Sequence, residues 1–336
     1  MIHCKGNKMI IFRNFNVCKL SIASLLFVLV STATAQSAPP YPTRPVTIVN
    51  QFSPGSISDA TARLIAKSLQ DQLGQPFIVE NKVGAGGLIA ATYVANAPSD
   101  GYTLLATSSS LHSGASLYKD LKIDPIKDFT HIARVGSFPS FIVVRSSLPV
   151  NTIEEFILYA KKNPKKLSYG HGNNVGQMVG ETLQKRNGIE LIRVPYKSNP
   201  AAMTDLVAGH IDMMVPELNT GLPHIQSGKV KALALLTKTH NARLPGVPTL
   251  NETVLPGFDV LPWGGISGPA GMQPETVAKL EMAVQKALKD PDIIRSLTTS
   301  GIEPFWGGQK EFEQYVKTQL ENWTVIIKNA GIQSGD

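Results

Sequence analysis

The residues best placed to do chemistry in this 336-residue chain sit in short turns where an apolar strand gives way to a helix. At such a point the first amides of the helix lack partners and the helix dipole is positive, which suits a carboxylate or a phosphate. The first turn is Phe52-Ser53-Pro54-Gly55-Ser56-Ile57-Ser58-Asp59. Pro-Gly makes a sharp reversal, and Gly55 and the serines lack bulk, so a ligand can approach the backbone closely. Ser56 with Asp59 three residues on fits a capping pair. An ordinary capped helix start would use the same residues, so this loop alone leaves both readings open.

Three further stretches repeat that chemistry. Residues 107–112 supply hydroxyls in a row, including Ser108 and Ser109; residues 170–176 bring Asn173 and Asn174 to a helix start; residues 194–198 put Tyr196 and Lys197 beside a turn. Gly84-Ala85-Gly86-Gly87 also joins a strand to a helix, but Ile89 stands where a dinucleotide fingerprint needs its third glycine, so Gly86 reads as part of a close-packed turn with amides toward a cleft. Catalytic signatures fail in the same way. Val230 follows Gly228-Lys229 where a phosphate loop needs Ser or Thr, and Pro269 ends Gly265-Ile266-Ser267-Gly268 where a nucleophile elbow needs glycine. The six histidines from His112 onward show no metal-ligand spacing. The expectation is no catalysis, no metal and no cofactor.

The elements that must hold these turns alternate. Residues 46–49, 77–80 and 102–106 read as strands, with helices at 62–73 and 88–97 between and after the first two, which is α/β patterning and implies a largely parallel sheet. Residues 132–144 form a long apolar run interrupted at Gly136 and Pro139, readable as a crossing to a second lobe. A second α/β series follows, with helices at 153–162, 175–185 and 201–208 and strands at 167–169, 191–194, 211–215 and 232–236. Residues 263–268 read as the return crossing, and helices at 274–289 and 309–330 close the chain. The layout predicts lobe 1 from residues 36–138 and 262–336, lobe 2 from 139–261, and a ligand cleft between them where helix N-termini meet.

Residues 1–35 carry Lys5, Lys8, Arg13 and Lys19 with no acid, then an apolar run over 20–30, then Ala33-Thr34-Ala35. That order is a secretory signal peptide cut near Ala35. Both cysteines, Cys4 and Cys18, fall inside it, so the mature chain has no thiol chemistry, as suits an exported protein with a core large enough to need no staples. Removing the leader's four Lys/Arg takes the formal charge from +7 to +3, too modest an excess to point to nucleic acid.

With these residues in place, the chain from Tyr41 onward resembles the Bug-type (TctC-like) extracytoplasmic solute receptors of tripartite tricarboxylate transporters. The landmarks are Phe52-Ser53-Pro54-Gly55 with Asp59, Leu73-Gly74-Gln75-Pro76 with Val79-Glu80-Asn81, Gly84-Ala85-Gly86-Gly87, Asp100-Gly101-Tyr102-Thr103-Leu104, Val194-Pro195-Tyr196-Lys197, Leu222-Pro223-His224-Ile225 and Pro245-Gly246-Val247-Pro248-Thr249. The resemblance implies a two-lobed, type II-like periplasmic binding fold that closes on a small carboxylate. It implies delivery of that acid, by a monomer, to large and small multispanning membrane proteins; the alternative is a periplasmic subunit that reports ligand to a two-component sensor. Carried over by position, Phe52, Gly55, Ser56, Asp59, Ser108 and Tyr196 would hold the ligand. Ser56 and Ser198 replace glycines usual in the family, the 170–176 loop is shorter by about two residues, and Pro216 stands where many members have aspartate. The residues do not name the acid.

Overall fold

The computed structural model describes residues 1, 3, 41–118 and 122–329. Apart from Met1 and His3, the expected leader, with Cys4, Cys18 and the cleavage position at Ala35, lies outside these residues, as do residues 330–336.

The first described strand is β1 (Val46–Asn50), whose Val46, Ile48 and Val49 are fully buried, on both faces of a sheet. Helix α1 (Ile57–Leu73) follows, capped at its start by Ser56 and ended by Gly74 in the left-handed region at φ 72°. Then come β2 (Phe77–Asn81), a single 3₁₀ turn (Ala85–Gly87), α2 (Leu88–Ala95), β3 (Thr103–Ser108), α3 (Ser109–Leu117) and β4 (Phe129–Ser137). Pro139, which has no N–H for a ladder, interrupts the apolar run before β5 (Phe141–Arg145), and β5 belongs to a different sheet. The second sheet continues through α4 (Ile153–Lys162), β6 (Ser168–His171), α5 (Asn174–Asn187), β7 (Ile192–Pro195), α6 (Asn199–Ala208), β8 (Met213–Met214), α7 (Leu218–Gln226) and β9 (Val230–Leu235). The chain then returns to the first sheet as β10 (Trp263–Pro269), followed by α8 (Pro274–Ala287), α9 (Pro291–Thr299), β11 (Glu303–Gly307) and the long α10 (Gln309–Asn329).

The strand order is β11-β4-β10-β3-β1-β2 in one lobe and β7-β6-β8-β5-β9 in the other. The sheets are mixed, with parallel cores and antiparallel additions. β1, β2 and β3 are parallel, as are β6, β7 and β8, but β10 runs antiparallel to β3 and β4, and β5 antiparallel to β8 and β9. These two are the strands that arrive from the opposite lobe, and each lies against the direction of its new neighbours. The return crossing also sits earlier than residues 263–268. Residues 250–260 still pack on the second lobe through Leu250, Leu255, Phe258 and Val260. The crossing is at 261–262, where Pro262 O accepts from Phe138 N at 2.7 Å. The glycines that resembled a crossing are a packing device inside β10: a Cβ on Gly265 would come within 2.6 Å of both the Ala133 carbonyl oxygen and the Phe312 ring.

Helix α10 touches both lobes. Phe312 and Val316 pack on Trp263 in the first, while Trp323 and Ile327 join the core of the second.

Candidate functional site

A narrow cleft with about 30 Å³ of free space lies between the sheets. The first lobe lines it with Phe52, residues 56–58 and residues 108–110; the second with Gly172, Asn173, Val175, Asn199 and Glu217; Phe138 and Pro262 of the two crossings form its back. Helices α1, α3, α5, α6 and α7 all begin on this cleft, which places the positive ends of five dipoles around it.

The first loop is built differently from the sequence expectation. Ser56 Oγ accepts from Asp59 N at 3.3 Å, and Asp59 Oδ2 in return accepts from Gly55 N at 3.0 Å. Ser56 N donates to Ser53 O at 3.1 Å. The amides of Gly55 and Ser56 are therefore spent inside the loop, and Gly55 is exposed and away from the cleft. The amides that find no acceptor among the described residues are those of Ile57 and Ser58, one step further along. Asp59 is likewise a brace. Its carboxylate also accepts from Asn81 Nδ2 at 2.9 Å and pairs with Arg63 at 3.0 Å. Burial pushes its pKa up, but the hydrogen bonds from Arg63, Asn81 and Gly55 N outweigh that and hold it below the usual carboxylate value. Asn81 and Asn50 together donate to Phe52 O, at 2.7 and 2.9 Å, which sets the Phe52 ring at the cleft.

Ser108 and Ser109 lie where the sequence places them. Ser108 Oγ donates to Gln51 Oε1 at 2.9 Å, and Ser109 Oγ accepts from Trp263 N at 3.4 Å. Ser110, not singled out from the sequence, links the lobes: its Oγ donates to Gly86 O and accepts from Asn174 N, both at 3.1 Å. Asn174 Nδ2 donates to Ser110 O at 3.0 Å and to Gly86 O at 3.4 Å. The carboxamide fills a slot between Gly86 and Gly114 that a Cβ on either glycine would overlap. Asn219 adds a weaker tie from α7 to Gly55 O at 3.4 Å.

Gly86, Asn174, Tyr196 and Lys197 do not line this cleft. They line a neighbouring recess of about 320 Å³ that shares residues 172–173 with it. There Tyr196 OH donates to Asp205 at 2.6 Å, and burial with that bond pushes its pKa up to about 12.

The cleft's second wall holds Asn173, expected from the sequence, beside two residues the sequence reading missed, Asn199 and Glu217. Asn173 caps α5 by accepting from Gly176 N at 2.8 Å and donates to Glu217 Oε1 at 3.0 Å. Asn199 accepts from Gly172 N at 3.0 Å and donates to Glu217 Oε2 at 2.9 Å. Glu217 is only 8% exposed. Burial pushes its pKa up, against the hydrogen bonds from Asn199, its own N–H and Asn173. Their positions, 173, 199 and 217, lie in three separate segments with no shared motif, so only the fold brings them together.

The match to known proteins is decisive at this point. Residues 61–332 fit the family model for the tripartite tricarboxylate transporter family receptor, TctC. The chain belongs to this family. It is similar to the UPF0065 protein in the tcbD-tcbE intergenic region of Pseudomonas sp. (strain P51), 34% identical over 301 residues that cover 88% of this chain and 89% of that one. Among solved structures, the periplasmic binding protein BugD superposes with a TM-score of 0.83 at 34% identity, covering 87% of this chain and 99% of its own. R. palustris Rpa4515 with adipate gives 0.82 at 32%, covering 87% and 98%. MatC from Rhodopseudomonas palustris with bound malate gives 0.82 at 32%, covering 85% and 100%. The two-lobed periplasmic binding fold of this TctC-family chain is thus that of solute receptors.

Proposed function

We propose that this receptor is exported, matures by cleavage near Ala35, acts as a monomer and closes on a small organic acid, which it presents to the large and small membrane subunits of a tripartite transporter. The observation that carries the reading is the meeting of five helix N-termini at one cleft, with the Ile57 and Ser58 amides open to it. Similarity to proteins solved with adipate and malate supports a carboxylate as the ligand class. The lobes divide near residues 138–140 and 261–262, and the hydrogen-bonded pair of crossings serves as the hinge. A thermal-shift screen of purified mature protein against adipate, malate, other di- and tricarboxylates, aromatic acids and amino acids tests the reading. At least one acid is expected to raise the midpoint by several degrees and to bind with about micromolar affinity or better. If no acid in the panel shifts it, and only neutral solutes do, the reading is wrong.

A further inference from the structure

Helix starts line both walls of the cleft, α1 and α3 from the first lobe and α5 and α6 from the second, but the second wall also carries a carboxyl, that of Glu217 at the start of α7. The orientation of both asparagines beside Glu217 is pinned. Asn173 Oδ1 is held by Gly176 N and Asn199 Oδ1 by Gly172 N, so each NH₂ must point the other way, onto a different oxygen of Glu217. Both carboxyl oxygens are thereby held as acceptors, the arrangement that suits an ionised carboxylate. Among the described residues no Lys, Arg or His forms an ion pair with it. A buried, ionised acid that faces a ligand cleft and has no cation of its own is costly in an empty site and repels a ligand carboxylate brought close to it. A ligand that supplies the cation removes both costs.

We propose that Glu217 receives a protonated amine, so that the ligand of this receptor is an amino acid or other ammonium-bearing organic acid, its carboxylate on the Ile57 and Ser58 amides and its ammonium on Glu217. This deepens the organic-acid reading above and rests on it. A ligand of this kind spans the cleft with opposite charges and engages both lobes at once, which is what favours closure.

The test uses matched series that differ in one substituent: L-aspartate, L-malate and succinate; L-glutamate, 2-hydroxyglutarate and glutarate; and 5-aminovalerate against glutarate. Calorimetry is run at neutral pH on the mature protein and on Glu217→Gln, with circular dichroism to show that the variant is folded. The expected result is that one amine-bearing member binds the parent about tenfold or more tighter than its hydroxyl and unsubstituted counterparts, and that Glu217→Gln abolishes this preference while leaving the amine-free acids as tight or tighter. Preference for an amine-free acid in the parent overturns the inference without the variant being needed, and leaves the organic-acid reading standing. So does an amine preference that survives in Glu217→Gln. If no acid of any series binds the parent, the inference falls together with the reading beneath it.

Discussion

Replacing Gly114 by alanine adds one methyl group and separates the stability of the free protein from that of its closed state. Gly114 lies inside α3, where alanine is the better helix former by about 1 kcal/mol. The new Cβ, however, would occupy the space of the Asn174 carboxamide, which bridges from the second lobe to Ser110 O and Gly86 O. Eviction loses up to two hydrogen bonds at about 1 kcal/mol each, so closure is weakened by about 2 kcal/mol while the thermal midpoint of the free protein holds or rises. A ligand that binds only the closed form then loses about tenfold or more in apparent affinity. The assay is calorimetry with whichever acid the screen selects, on the parent, Gly114→Ala, Asn174→Ala and the double variant. Asn174→Ala removes the same bonds by itself, so Gly114→Ala is expected to cost almost nothing further on that background. Parent-like affinity in Gly114→Ala, or an undiminished loss when Asn174 is already alanine, refutes the lobe-to-lobe latch.

Gly55→Val is expected to destabilise the fold by about 1 kcal/mol, because Gly55 sits at φ 81°, yet to leave affinity unchanged, since a Cβ there would meet nothing within 4 Å; a tenfold loss in calorimetry would restore Gly55 to the site. Asp59→Ala removes the acceptor for Gly55 N, Asn81 and Arg63, and unfolding in urea is expected to report a loss of about 2–3 kcal/mol. Stability is also expected to fall on acidification. Burial, then the neighbouring His131, holds His112 down at about 3, and burial, opposed by the Pro125 carbonyl but aided by Lys317, holds His131 at about 4. Below their ordinary value of 6.5 the unfolded chain takes up protons that the folded chain refuses, so stability declines from there toward about pH 4, by about 2 kcal/mol per histidine at pH 5. A midpoint that is flat between neutrality and pH 5 would contradict this. Chelator and reductant are expected to leave affinity unchanged, because the chain beyond its leader has no cysteine and no spaced histidine ligands; a clear loss on chelation would reveal a metal role.

Much of the architecture can be read from local patterns, because buried strands and amphipathic helices write their periods into short windows. The Ser56–Asp59 cap and the positions of Ser108, Ser109 and Asn173 follow from the same local logic. What could not be read is what depends on contacts between distant segments. Nothing near Gly55 says that its N–H goes to Asp59 and not to a ligand, since a loop with free amides and one with spent amides have the same composition. β10 looks like a linker because Gly264 and Gly265 answer to Phe138, Ala133 and Phe312, residues far away in sequence. Helix α7 is hidden by Pro223, which it accommodates. The antiparallel direction of β5 and β10 is not legible either: both come from the other lobe, and no residue records from which side a strand enters.

Helix α10 also bears on the order in which the molecule can become whole. It is the last described element to be synthesised, and its two halves complete different cores, Phe312 and Val316 against Trp263 and then Trp323 and Ile327 among the residues of the second lobe. A growing chain lacks this clasp until its final segment is free, so neither half-built lobe reaches its finished packing and premature compaction is penalised. For a receptor exported unfolded, as the proposed maturation implies, late arrival of this piece is an advantage: the chain stays loose while it travels and tightens once α10 has joined both cores.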